Sequence, residues 1–394
     1  MFCLGVIKRS KRNYYLSVNF HHKNYGLGVK LFLDRYLNFI KRLRMLSRTG
    51  QISCYNESGQ EIACRDSGQD GEYQLGSPWP LPRFVLLNET VRDRLTGLIW
   101  SRDANPHGFP VTWPEALASI AALNRDHYLG DKDWRLPNRR ELRSLMSYQS
   151  KKPALPTGHP FVNIFLGWYW SSTSAAVNPA YAWSVHLEGA RLFYGRKDQY
   201  SLFWPVRGRG SGLLPCTGQK HCYDSQGRKI PPAGSGQDGE SRRGRPWPAA
   251  RFATGQAVVL DRLTNLCWTR QANHSAGPVS WQQALDLIRR LNEARWAGLA
   301  GWRLPNINEL ESLVDCAAHH PALPAGHPFV ALREGYWSST TSFFETDWAW
   351  VLYLDKGAIG VGHKPGRTFF VWPVCTAPEP ALPVSSPAAA LTEP

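Results

Sequence analysis

The chain has 394 residues, 43% hydrophobic and 20% charged, with a net charge of +15, a balance that suits a folded protein of two or three domains rather than a disordered one. No run approaches the roughly 18 consecutive apolar residues of a membrane-spanning helix, and nothing in the composition fits collagen or a coiled coil. The 34 Gly, 29 Pro and 17 Trp point to a turn-rich fold with heavy aromatic anchors.

In chain order, residues 1–45 come first and carry ten Lys or Arg against Asp34 alone, a net of +9. The remaining chain holds 36 basic and 30 acidic residues and is only mildly basic. The arm reads as an extension, with Met45 as an alternative start. Basic residues interrupt its apolar stretches, so it lacks the pattern of a signal peptide. Its charge favours polyanions, but no nucleic-acid-binding motif accompanies it, and nucleic acid is not the expected partner.

The rest of the chain is a tandem repeat. Thr49-Gly50-Gln51 returns as Thr217-Gly218-Gln219, the SGQDGE run 67–72 returns at 235–240, and Trp134-Arg135-Leu136-Pro137-Asn138 returns as Trp302-Arg303-Leu304-Pro305-Asn306, all at an offset of 168. The offset slips by one at Trp170-Ser171-Ser172-Thr173 and Trp337-Ser338-Ser339-Thr340 and recovers by Trp204 and Trp372. The units span 46–210 and 214–376, each long enough for a core of its own. Residues 377–394 form a Pro/Ala-rich tail expected to be disordered. Seven Trp pairs survive the duplication (79/247, 100/268, 113/281, 134/302, 170/337, 183/350 and 204/372), and rings that bury about 150–250 Å² each are expected to set the core.

Within a unit, residues 90–100 and 258–268 read as strand, turn, strand. Thr112 with Glu115, and Ser280 with Gln283, are capping boxes opening apolar-periodic helices to Leu123 and Leu291. Asn138 with Glu141, and Asn306 with Glu309, cap a second short helix. Beyond Trp170 the pattern alternates: strands at 181–187, 191–195 and 202–207, with a turn at Glu188-Gly189. The fold class is therefore α+β: two tandem domains, each with two short helices and short antiparallel strands.

Cysteine spacing adds a constraint. Cys54 and Cys64 are expected to close a short loop as a disulfide; in the second unit Pro232 stands at the Cys64 position, and Cys216 with Cys222 reads as a relocated bridge. Disulfides favour an oxidising compartment. Cys3, Cys267, Cys316 and Cys375 have no clear partner. No CxxC motif, zinc-spaced Cys/His set, GxSxG elbow, phosphate loop or dinucleotide fingerprint occurs, and the Asp70/Glu72 loop lacks the ligand count of an EF-hand. No cofactor or metal is expected. His159 and His327, in matched Gly-His-Pro-Phe loops, read as turn residues.

The order Leu95-Thr96-Gly97-Leu98-Ile99-Trp100, Trp113, Asp133 to Asn138 with Glu141-Leu142, Trp170 to Thr173, Ala182-Trp183 and Pro205 to Gly208, repeated in the second unit, resembles the Lcl C-terminal domain family (DUF1566), with cores at about 90–208 and 257–375. The resemblance implies a C-type-lectin-like fold related to that of formylglycine-generating enzymes, in an extracellular or cell-envelope bacterial protein. It also implies a ligand face on the C-terminal strands and loops: Arg191, Tyr194, Arg196, Lys197 and Arg207 in the first unit, and Lys356, His363, Lys364 and Arg367 in the second. Arg forks suit sulfate or carboxylate. The expected function is non-catalytic binding or adhesion, toward an acidic glycan or a surface protein. The alternatives are a cysteine-modifying enzyme using Cys316 or Cys375 and a structural envelope module without ligand. The second unit departs from the pattern at Asn265, Cys267 and Cys375.

Overall fold

The structure, a computed structural model, describes residues 46–377; the expected arm 1–45 and the tail beyond 377 lie outside the described residues. Both halves repeat one α+β plan. A 13-residue helix, Trp113–Arg125 or Trp281–Glu293, opens with the capping box read from the sequence. Its first residue is a buried Trp whose indole N–H donates to a strand carbonyl, Trp113 to Ser171 and Trp281 to Ser338, each at 2.7 Å. A six-residue helix follows, Arg139–Ser144 or Ile307–Ser312, capped by Asn138 or Asn306. The Trp-Arg-Leu-Pro-Asn motif now has a physical explanation. Arg135 grips Glu141 with two hydrogen bonds of 2.6 and 2.7 Å, and Arg303 grips Glu309 identically, so the Arg immobilises the carboxylate that caps the helix.

Each half has a four-stranded antiparallel sheet: Phe84–Leu87, Thr90–Asp93, Ile99–Ser101 and Val206–Arg207 in the first, Phe252–Thr254, Val258–Asp261, Leu266–Thr269 and Val374–Thr376 in the second. Asp93 pins the first sheet's turn, taking two hydrogen bonds from Arg83 and others from Leu95 N–H and the Thr96 hydroxyl; Asp261 does the same with Arg251, Leu263 and Thr264. Six of the seven Trp pairs are buried as expected; the exceptions, Trp79 and Trp247, are half-buried beneath Arg83 and Arg251.

The expectation of separately folded modules gives way to a more intimate arrangement. Three strands from each half form one six-stranded sheet, ordered Gly335–Thr341, Trp348–Tyr353, Ala358–His363, Leu192–Arg196, Tyr181–His186, Trp168–Ser174. The halves join where Leu192 faces Ile359, its own repeat equivalent. One apolar core runs from Trp100 and Trp204 through Leu192 and Ile359 to Trp268 and Trp372.

The leading segments are also exchanged. Asp70, from the first leader, accepts hydrogen bonds from Thr49 of that leader and from Thr340 of the second half, each at 2.7 Å. Reciprocally, Asp238 accepts from Thr217 at 2.6 Å and from Thr173 of the first half at 2.7 Å. Gln51 exchanges two 2.8 Å bonds with the Thr341 backbone, and Gln219 pairs likewise with Ser174. Gly59 shows how close the approach is: a Cβ there would lie 2.8 Å from the Asp347 nitrogen, and its φ is +80°. When residue i meets j′ and j meets i′, the relation is a pseudo-two-fold. The repeats fold as a covalently linked dimer with swapped leaders.

Candidate functional site

Eight of the nine residues expected on a ligand face separate into three groups, and Arg367 stands apart from them. Lys197 and Lys364 are fully buried and do not belong to a free surface. Lys364 donates to the carbonyls of Tyr55 and Asn56, both at 3.2 Å, with its ammonium 4.3 Å from the Trp281 ring centre; Lys197 does the same to Tyr223 and Asp224 over Trp113. These lysines lock each leader onto the opposite half. Burial pushes both ammonium groups down to about 7.

A second group is already partnered within its own half. Arg196 forms a two-pronged pair with Asp198, Arg207 bonds Asp131 at 2.8 Å beside Trp134, and His363 faces Asp347 at 3.5 Å. Arg367 is exposed, apart from the seam, with no ion pair among the described residues.

The third group meets at the seam of the six-stranded sheet. Leu192 points into the core; Phe193 follows it on the strand and Arg191 precedes the strand, and both are exposed. Phe193 is 39% exposed, and Lys356 from the other half reaches across to within 5.9 Å of its ring and 5.4 Å of the Tyr353 ring. Gly360 makes room for Tyr353, whose ring would lie 2.9 Å from a Cβ at that position. Tyr194 is half-buried, stacked on the Phe193 ring at 4.9 Å and edge-on to Trp183, and contributes to packing; burial raises its phenol. The seam therefore brings Phe193 of one half together with Tyr353 and Lys356 of the other, and the exposed Arg191 lies beside Leu192 in the chain. The sequence reading missed Phe193 and Tyr353 because an alternating strand pattern labels faces without saying which one a neighbouring repeat leaves uncovered.

Cysteines required a correction. Cys54–Cys64 is a disulfide, as expected, but Cys216 and Cys222 are free. Cys222 packs against Ser235 and Gly239, whereas Cys216 is held by backbone bonds to Arg245 and by the Trp247 indole, so the two thiols serve different walls. Cys267 and Cys375 do have a partner: each other, as a cross-strand pair at the register position that Ile99 and Arg207 fill in the first half. Their mutual hydrogen bond lowers Cys267 and raises Cys375. Cys316 is buried beside Arg139, and burial raises its thiol. Among the described residues no cluster of His, Cys, Asp and Glu is arranged to hold a metal, and no helix is long and apolar enough to cross a membrane.

The Lcl C-terminal domain matches residues 89–207 and again 257–375, the two repeats recognised above, together more than half of the chain. The protein belongs to the Lcl C-terminal domain family. No curated protein matches it. The seam thus lies between two Lcl C-terminal domains, and both swapped leaders lie outside the matched regions.

Proposed function

We propose that the protein is a non-catalytic binding protein of a bacterial surface or envelope that recognises acidic glycans at the seam between its two Lcl C-terminal domains. The observation that carries this reading is Lys356 reaching across to the exposed Phe193 ring and the half-buried Tyr353 ring, with the exposed Arg191 two residues before Phe193 in the chain. A sugar ring stacks on an aromatic face, and a guanidinium offers a carboxylate or sulfate two parallel hydrogen bonds. The Cys54–Cys64 disulfide favours an oxidising compartment, in keeping with the surface location and the C-type-lectin-like scaffold that the family resemblance implies. Catalysis by Cys316 fits less well, because its thiol is 3% exposed.

The test is an array of sulfated and uronic-acid glycans at low and moderate salt. The intact protein is expected to bind acidic glycans, with affinity falling as salt rises. Arg191→Ala with Lys356→Ala should reduce binding by about 10-fold or more, the usual effect of losing charged hydrogen bonds. Equal binding by the double variant removes the seam as the site, and no binding to any acidic glycan removes the ligand class.

A further inference from the structure

Where the pseudo-two-fold passes between the two short helices, residues meet their own repeat equivalents. A cavity of about 50 Å³ lies there. Its wall is built from equivalent pairs: Leu46 with Leu214, Arg140 with Asn308, and Arg143 with Glu311. The pairs are unlike in charge, and the balance is uneven. Arg48, Arg140 and Arg143 line the cavity, and Glu311 is the one carboxylate among its lining residues.

Glu311 is already shared. It ion-pairs with Arg143 and, through its other oxygen at 3.4 Å, with Arg139, whose guanidinium also donates to the Gly357 carbonyl. Arg140 is 6% exposed and bonds only carbonyl oxygens, Val314 at 2.7 Å and Glu311 at 3.4 Å, with no carboxylate within 4 Å among the described residues. The Nε atoms of Arg48, Arg140 and Arg143 are buried without a hydrogen-bond partner. Burial draws the Arg140 guanidinium down to about 10 and lowers Arg143. Water can satisfy an N–H, and about 10–15 Å³ suffices for one water, but water does not neutralise surplus positive charge in a low-dielectric site.

We propose that this cavity binds a small oxyanion of the size and charge of sulfate or phosphate, held by Arg48, Arg140 and Arg143. The anion neutralises the surplus charge and joins the two halves at the pseudo-two-fold. The site depends on the divergence of the repeats. The first half supplies Arg140 and Arg143, whereas the second places Asn308 and Glu311 at the same positions.

The test uses the intact protein in Tris-chloride at constant ionic strength, titrated with inorganic sulfate or phosphate and followed by calorimetry and thermal melting. One equivalent is expected to bind and to raise the Tm as ligand linkage requires. Arg140→Asn, which installs the second half's residue, and Arg48→Ala, at a partly exposed position, should each weaken binding by about 10- to 100-fold. The Arg191→Ala/Lys356→Ala variant should bind the anion normally, which separates this site from the seam. Should Arg140→Asn fail to fold, Arg48→Ala alone decides. No heat and no Tm rise with the intact protein, or an unchanged rise in Arg48→Ala, overturns the proposal.

Discussion

Lys364→Met is expected to destabilise the protein by about 2–3 kcal/mol in urea unfolding, whereas Lys356→Met should change stability by no more than about 0.5 kcal/mol. Both residues are lysines in the same half, but only Lys364 is buried with its ammonium on two leader carbonyls and the Trp281 face. Met keeps the hydrocarbon stem and removes the desolvated charge, which by itself is favourable. Against that stand the lost cation–ring attraction, about 2 kcal/mol when desolvated, and the loss of a donor to the buried Tyr55 and Asn56 carbonyls, about 1–3 kcal/mol for a group left unsatisfied. A neutral amine would donate to the same carbonyls, so the loss of that donor stands in either protonation state and sets the sign of the effect. Equal, small effects from both substitutions would show that Lys364 does not hold the leader.

The second large effect is a pH dependence. Burial raises the carboxyl groups of Asp70 and Asp238 to about 6, and hydrogen bonds from two threonines each only partly oppose it. The sign follows from proton counting. Between about pH 4 and 6 the folded protein holds protons on these groups that the unfolded chain has released, so stability falls as pH rises through that window. Below it both states are protonated; above it the loss is complete. Each group contributes at most roughly 3 kcal/mol to this fall. In the Asp70→Asn/Asp238→Asn variant the difference in unfolding free energy between pH 4.5 and pH 7 should shrink by several kcal/mol relative to the parent. A parallel pH profile in parent and variant would place both carboxyls outside the buried contacts described.

Much of the local structure was legible in the sequence. The capping boxes at Thr112, Ser280, Asn138 and Asn306 all form. The strand–turn–strand units and six of the seven Trp pairs behave as their patterns indicate. The exchange of leaders was not legible, for a definite reason. Duplication gives Asp70 two equivalent candidate partners, Thr173 and Thr340, and sequence alone treats them alike. The choice is made by three-dimensional reach. Lys197 and Lys364 were misread for a related reason: their partners are backbone carbonyls, which carry no sequence signal, so two buried donors looked like surface charges. Arg191 and Lys356 were legible as cations, but the rings beside Lys356 became visible only once the two edge strands were joined.

The interleaved fold underlies both sites, since the seam and the anion cavity exist only where the halves meet. Double-mutant cycles on Asp70 test it most directly. Asp70→Ala combined with Thr340→Val should show a coupling of about 1–3 kcal/mol, and Asp70→Ala combined with Thr173→Val should be additive within about 0.5 kcal/mol. Coupling to Thr173 in place of Thr340 would mean that each leader packs on its own half, contradicting the exchange.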